Sequence, residues 1–312
     1  MQKVFIDGGH GTTGLRINEY LSGRDDIEIL GLDPAERKNI NSRLDRIREA
    51  DVSILCLPDP AAVEIAEAAP PDAVIIDTSS AHRTKEGWIY GMPELTLSQR
   101  DLIRNSTRIA NPGCHASGFI LLVRPLIDAG LMDRDALLSC FCVTGYSGGG
   151  KSMIARYESG DRPAALDSPA QYALGQKHKH LPEMVKMTGL QSAPCFSPVV
   201  SSYYSGMVMT VPVHSSQLKH RPGPKDILAV LRDRYRDEAL ISVKDEAPED
   251  GFLYSNPMAG SNCMEMYVTG DPVRILLIAS YDNLGKGASG AAVQNLNILL
   301  GTEETKGLTQ VK

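Results

Sequence analysis

A glycine turn set between the first strand and the first helix constrains this chain most. Lys3–Asp7 is a short β-branched and aromatic run, and Gly8, Gly11 and Gly14 follow it in GxxGxxG spacing, ahead of a helix predicted over Arg16–Leu21. Glycine tolerates φ > 0 and lets the backbone approach a ligand closely, while a helix start presents free N–H groups to an anion. In this setting the turn predicts a dinucleotide-binding βαβ unit, with Gly8, Gly11, Thr12, Thr13 and Gly14 on the cofactor. A plain tight turn is the alternative, because the spacing is not GxGxxG.

The next residues carry the same alternation. Strands are predicted at Ile27–Leu32, Val52–Leu57, Ala73–Asp77 and Arg108–Ala110, with a helix at Ala61–Ala69. Strands alternating with helices predict a parallel sheet. From about residue 137 the pattern changes to longer strands with fewer helices between them: Leu138–Thr144, Met207–Val213, Ile241–Val243, Met264–Val268 and Arg274–Ala279. That suits a mixed or antiparallel second sheet. Helices are predicted at Asp226–Glu238 and Gly290–Leu300. The expected fold is α/β: a Rossmann-like parallel-sheet nucleotide domain over 1–112 and an α+β catalytic domain with a mixed sheet over 113–287.

Charge and cysteine usage narrow the class. The 312 residues hold 32 Lys and Arg against 38 Asp and Glu, and only 5% are aromatic. An acidic balance with few stacking side chains argues against nucleic acid as a partner. Six cysteines at 56, 114, 140, 142, 195 and 263 form no CxxC pair, which predicts free thiols in a reducing, cytoplasmic setting. The N-terminus shows no secretory pattern, and no apolar run reaches the roughly 20 residues a membrane span needs. No membrane partner is expected.

Asn111-Pro112-Gly113-Cys114 follows a strand and precedes the apolar stretch Phe119–Val123. Cys114 is thereby expected at a helix start, where the dipole and open N–H groups favour a nucleophilic thiolate. A buried structural thiol is the competing reading, and it is the one that suits mid-strand Cys140 and Cys142. His178 and His180 in His178-Lys179-His180-Leu181-Pro182-Glu183 are candidate acid/base groups, with Pro182 opening a helix. The pair also has spacing for a metal on an extended segment, but no third ligand cluster accompanies it, so no metal is expected. Gly145–Ser152 matches the P-loop pattern GxxxxGK[ST], making a nucleoside-triphosphatase the rival of a different class. Against that, the segment after Ser152 is soon broken by Gly160 and Pro163, and no apolar strand ending in a metal-binding Asp is predicted in 153–200. The loop reads better as an anion-binding element through its amides, Ser147 and Lys151. Arg83, past the strand end at Asp77, is a candidate carboxylate or phosphate clamp.

The motifs GGHGTTG, SSAHR, YGMPEL (90–95), NPGC, GYSGGGK, HKHLPE and DNLGKGASGAAVQN (282–295) run in order along almost the whole chain. In this set the chain resembles the N-acetyl-gamma-glutamyl-phosphate reductases of arginine biosynthesis, relatives of the aspartate-semialdehyde dehydrogenases, in their shorter subtype. The resemblance implies a Cys114 nucleophile, a pair, His178 and His180, that supplies the acid/base and a substrate contact, Arg83 on substrate, and Asn283 on the cofactor; which histidine is the base stays open, with His178 preferred and His180 then the substrate contact. It also implies that a C-terminal helix, about 288–312, completes the nucleotide domain and that the second domain oligomerises, giving a homodimer or homotetramer. His115-Ala116-Ser117 departs from the family's commoner Tyr-Pro-Thr, and Lys151 stands where Arg is commoner. The implied reaction reduces an acyl phosphate through a Cys114 thioester to a semialdehyde, with NADPH as the reductant. Asp33, 19 residues after Gly14, by itself points to NAD; Arg37 and Lys38 in the same loop, with the family's biosynthetic direction, point to NADP. Aspartate-semialdehyde dehydrogenase activity and a non-catalytic dinucleotide sensor are the remaining alternatives.

Overall fold

The computed structural model describes residues 1–310. In chain order the first part holds β1 (Gln2–Asp7), α1 (Thr12–Leu21), β2 (Ile27–Leu30), α2 (Ile40–Glu49), β3 (Val52–Leu55), α3 (Asp59–Ala68), β4 (Ile75–Asp77), β5 (Ile89–Tyr90), α4 (Gln99–Arg104) and β6 (Arg108–Ala110). It continues through α5 (Cys114–Asp128), β7 (Ser139–Gly145), α6 (Gly150–Glu158), β8 (Ala170–Gln171), α7 (Leu181–Thr188), β9 (Cys195–Ser201) and β10 (Met207–His214). It closes with α8 (Pro224–Tyr235), β11 (Ile241–Val243), β12 (Met264–Gly270), β13 (Arg274–Tyr281) and α9 (Gly290–Leu299). The chain divides into one unit of Met1–Gly113 with Ala288–Leu308 and a second built on Cys114–Gly287.

The first unit is a parallel sheet in the order β2-β1-β3-β4-β6-β5. Successive strand residues face opposite ways, and both faces are buried. Val4, Ile6, Ile54 and Ile76 pack with Ile17, Val293 and Leu296, while Phe5, Leu55 and Ile75 pack with Leu44, Ile47 and Ile65. This is the near-continuous apolar strand expected where helices cover both sides. Two helices escape the pattern reading. In α2 only Ile40, Leu44 and Ile47 are apolar among charged residues, at i, i+4 and i+7, and α4 is only six residues long. The C-terminal helix is shorter than the expected 288–312: α9 stops at Leu299, where Gly301 at φ +64° turns the chain. Positions 311–312 of that span lie outside the described residues.

The second unit is a mixed sheet in the order β11-β12-β13-β10-β7-β9-β8. β10 pairs antiparallel with β13 and β7, whereas β7 runs parallel to β9. β9 was not anticipated, because Pro198 lies in its middle. A strand next to the two-residue edge strand β8 tolerates the missing N–H. On one sheet face α5 packs against β10 and β13, flanked by α7 and α8. The register places Phe141, Thr210, Pro212 and Leu276 on one face, and Phe141, Pro212 and Leu276 there are exposed.

Candidate active site

In the first unit, two glycines of the turn are there for space. Gly8 sits at φ +79°, and a Cβ there would stand 2.3 Å from the Cys56 carbonyl oxygen; one on Gly14 would stand 2.6 Å from Gly9 Cα. Gly11 accepts from Leu15 N–H at 2.8 Å and donates to Gly8 O at 2.9 Å, and Asn18 Nδ2 donates to Gly14 O at 2.9 Å. Thr12 and Thr13 form the first turn of α1, and Thr12 Oγ1 is buried with no hydrogen-bond partner. A cradle without side chains at a helix start, with one orphaned hydroxyl, fits a pyrophosphate.

Past β2, the Asp33 carboxylate accepts from Ala35 N–H at 2.8 Å and caps a short turn, while Arg37 and Lys38 are exposed. A charge pair the sequence did not disclose lies at the end of β1. There Arg43 Nε donates to buried Asp7 at 2.8 Å. Burial pushes the Asp7 carboxyl up, against the pull of Arg43.

The SSAHR segment forms a local knot in the same unit. Asp77 accepts from Ser79 N–H at 2.9 Å and holds His82 Nδ1 at 2.6 Å, and His82 stacks on Trp88 at 4.0 Å. Arg83 is buried as well. Its guanidinium donates to Asn111 O at 2.9 Å and Thr78 O at 3.1 Å, holding the strand end that leads into Asn111-Pro112-Gly113.

In the second unit, Cys114 is the first residue of α5, at intermediate exposure. Its neighbour His115, where the chain departs from the family's commoner Tyr, turns its ring back so that Nδ1 lies 3.3 Å from Cys114 Sγ. His115 Nε2 lies 3.0 Å from Tyr172 Oη. The rings of His178 and His180 stand 5.2 and 5.3 Å from the His115 ring, and 4.6 Å from each other. The structure thus gathers Cys114, His178 and His180, as expected, around an unexpected third histidine. Burial pushes His115 down to about 3, reinforced by the positive fields of His178 and Lys179, so the imidazole is neutral near pH 7. His178 Nδ1 accepts from His180 N–H at 3.2 Å, which puts the proton of a neutral His178 ring on Nε2. His180 Nε2 lies 4.0 Å from Glu183 Oε1, and α7 starts at Leu181 with Pro182 in its first turn.

The start of α5 is braced from β13. Fully buried Tyr281 donates from Oη to Cys114 O at 2.6 Å and accepts from Gly118 N–H at 3.1 Å. Gly118 leaves room for that hydroxyl, and Gly287 leaves room beside the thiol: a Cβ there would stand 2.8 Å from Cys114 Cβ.

The GYSGGGK segment is a short turn, Tyr146–Gly149, running into nine-residue α6. Lys151 is exposed in the first turn of that helix. Buried Ser147 Oγ accepts from Asn283 Nδ2 at 2.9 Å, and Asn283 Oδ1 accepts from Gly206 N–H at 2.9 Å. Asn283, expected on the cofactor, therefore uses both ends of its amide to fasten this loop inside its own unit.

Two family models match. "Semialdehyde dehydrogenase, NAD binding domain" covers residues 3–103, and "Semialdehyde dehydrogenase, dimerisation domain" covers 114–283. Among curated proteins, the N-acetyl-gamma-glutamyl-phosphate reductases of Brucella suis (strain ATCC 23445 / NCTC 10510) and Brucella ovis are each 44% identical over 307 residues, spanning 96% of this chain and 99% of the relative. Among solved structures, aspartate semialdehyde dehydrogenase II complexed with ASA from Vibrio cholerae superposes with TM-score 0.71 at 18% identity, covering 96% of this chain and 99% of that one. Aspartate semialdehyde dehydrogenase from Francisella tularensis does so with TM-score 0.73 at 14% identity, covering 96% and 100%.

Proposed function

Because the chain belongs to the semialdehyde dehydrogenase family, among its N-acetyl-gamma-glutamyl-phosphate reductases, we propose that it works through a thioester on Cys114. The observation that carries this is the Cys114 thiol on the first residue of α5, within 3.3 Å of an imidazole. A carboxylate resists hydride because it is already anionic, whereas an acyl phosphate is activated. Cys114 sulfur attacks the acyl carbon of N-acetyl-γ-glutamyl phosphate, the C–O bond to phosphate breaks, and a neutral thioester remains. N–H groups at the start of α5 stabilise the oxyanion. When bound, a reduced nicotinamide cofactor supplies the hydride that the thioester carbon accepts. His178 Nε2–H hydrogen-bonds the oxyanion that results, whose electron pair re-forms the carbonyl as the C–S bond breaks, releasing the semialdehyde and the Cys114 thiolate. His180, Ser147 and Lys151 are assigned to the substrate side, with Lys151 and the α6 amides toward its anionic groups. Arg83 acts through the Asn111–Gly113 segment that it anchors.

The turn Gly8, Gly11, Thr12, Thr13 and Gly14 holds the dinucleotide. NADP is the form proposed, because Asp33 is turned onto Ala35 N–H and exposed Arg37 and Lys38 are left to meet a 2′-phosphate. The second unit also associates, through the sheet face bearing Phe141, Pro212 and Leu276, into a dimer or tetramer; Leu276→Asp should shift the sedimentation of the native protein toward monomer. Six free thiols suit a reducing cytoplasm. Among the described residues no helix is long and apolar enough to cross a membrane. The deciding assay runs the reaction backwards: phosphate-dependent NADP reduction with N-acetylglutamate semialdehyde, against aspartate semialdehyde. Turnover of the second and not the first overturns the substrate assignment.

A further inference from the structure

We propose that His115 donates a hydrogen bond from Nδ1 to the Cys114 thiolate, and that Tyr172 fixes the ring tautomer that makes it a donor. The inference rests on the reading of Cys114 as nucleophile and adds a second group at the reacting sulfur, with a positioning residue behind it.

The contacts on both ring nitrogens define which tautomer the proposal requires. The Tyr172 hydroxyl has His115 Nε2, at 3.0 Å, as its hydrogen-bond partner among the described residues. Burial holds that phenol far above its ordinary range, so it keeps its proton. A thiolate facing Nδ1 requires a donor there, and a phenol facing Nε2 is able to donate at the other end of the ring. In the proposed tautomer Nε2 is the acceptor and the single proton of the neutral imidazole sits on Nδ1. That atom lies 3.3 Å from Cys114 Sγ. His115 is neutral near pH 7 for the reasons given above. With its proton on Nδ1 the ring faces the sulfur as a donor, not as its base.

Tyr172 is placed by backbone, not by chance. Its N–H donates to Pro198 O at 3.0 Å. The loop after it passes through two non-glycine left-handed residues, Ala173 at φ +51° and Gln176 at φ +53°. Gln176 pins that loop to β9 by donating to Phe196 O at 2.8 Å and accepting from Phe196 N–H at 2.9 Å. Strained conformations persist where the surroundings over-determine them, and they gather at functional sites. The other titratable groups facing this pair are His178, Lys179 and His180 from the loop before α7, with Glu183 beside His180, Cys142 from β7 and Tyr281 from β13.

The arrangement has a chemical purpose. An N–H···S⁻ bond is strong to a thiolate and weak to a thioester sulfur, which carries no charge. It makes sulfur a better leaving group when the hemithioacetal C–S bond breaks and the electron pair returns to sulfur.

The test follows the pH dependence of iodoacetamide alkylation at Cys114, read by peptide mass spectrometry. It compares the native protein with His115→Phe, His115→Asn and Tyr172→Phe. Losing a hydrogen bond to a charged group should raise the alkylation midpoint by about one to two pH units in His115→Phe. Tyr172→Phe should raise it less, and His115→Asn, whose amide N–H stands near Nδ1, should restore most of the native value. An unshifted midpoint in a folded His115→Phe protein overturns the proposal. So does ¹⁵N NMR of the native protein showing the His115 proton on Nε2, a readout that needs no variant. The midpoint does not depend on what Cys114 does in turnover. Full activity after complete Cys114 alkylation would sink the nucleophile reading separately.

Discussion

Tyr281→Phe removes one oxygen from the interior and should show how firmly the start of α5 is held. In α5, helical from Cys114 on, Gly118 N–H faces Cys114 O four residues back. The Tyr281 hydroxyl bridges these same two groups from the side, 2.6 Å from the carbonyl and 3.1 Å from the amide. Phenylalanine loses two hydrogen bonds of about 1 kcal/mol net each, partly offset by the helical bond that the same carbonyl and amide share. The expected cost is about 1–2 kcal/mol. At about 2–4 °C per kcal/mol for a unit of this size, Tm should fall by about 2–8 °C. Without that brace Cys114 is free to shift, and a displacement of about 1 Å at a reacting atom can cost about 10²-fold in rate. Calorimetry gives the first effect; kcat and the Cys114 alkylation rate give the second. Gly118→Ala probes the same brace from the other side, because its Cβ would stand 2.6 Å from Tyr281 Oη and 2.9 Å from Met209 Cβ. It should cost about 1–3 kcal/mol by overpacking. The double variant should lose less than the sum of the two, since removing the hydroxyl relieves part of the clash. Native Tm, native kcat and strict additivity together would refute the idea that this hydroxyl sets the position of the nucleophile.

Cys114→Ala should lower kcat by several orders of magnitude while leaving cofactor binding intact, as followed by fluorescence titration; near-native turnover would exclude the thioester route. Arg37→Ala with Lys38→Ala should lower kcat/KM for NADP by about tenfold or more and leave NAD kinetics nearly unchanged; unaltered NADP kinetics would make Asp33 the better guide to cofactor choice. The His115 ring is held down from 6.5 to about 3, so between those values the unfolded chain binds the proton that the folded chain refuses. Stability should therefore drop as pH falls through that window, by up to about 1.4 kcal/mol per pH unit from this group. His115→Asn should flatten this acid limb in urea titrations, and an unchanged slope would mean that the imidazole is protonated without cost.

What could be read from the sequence, and what could not, follows the range of the interactions involved. Gly8 and Gly14 were legible because the demand on them is local: a strand end, a turn and a helix start within seven residues. Both sheets were legible in type, because parallel and mixed sheets differ in how apolar residues are strung along each strand. β9 was hidden by Pro198, whose tolerance depends on a short edge strand beside it and not on its own neighbours. Asn283 matched a cofactor loop by motif, yet its amide is committed to Ser147 and Gly206, 136 and 77 residues away. Cys114 was legible at a helix start from Asn-Pro-Gly and the apolar stretch that follows. The group touching its sulfur was not, although it is the next residue. Adjacent side chains on a helix ordinarily diverge, so nothing in the order Cys114-His115 announces a 3.3 Å contact. Nor does it announce Tyr172, 57 residues on, at the other nitrogen of that ring. The pair His178 and His180 stands out in the chain because its members are close in sequence. His115 stands out only when burial has fixed its charge and a distant phenol has met its ring.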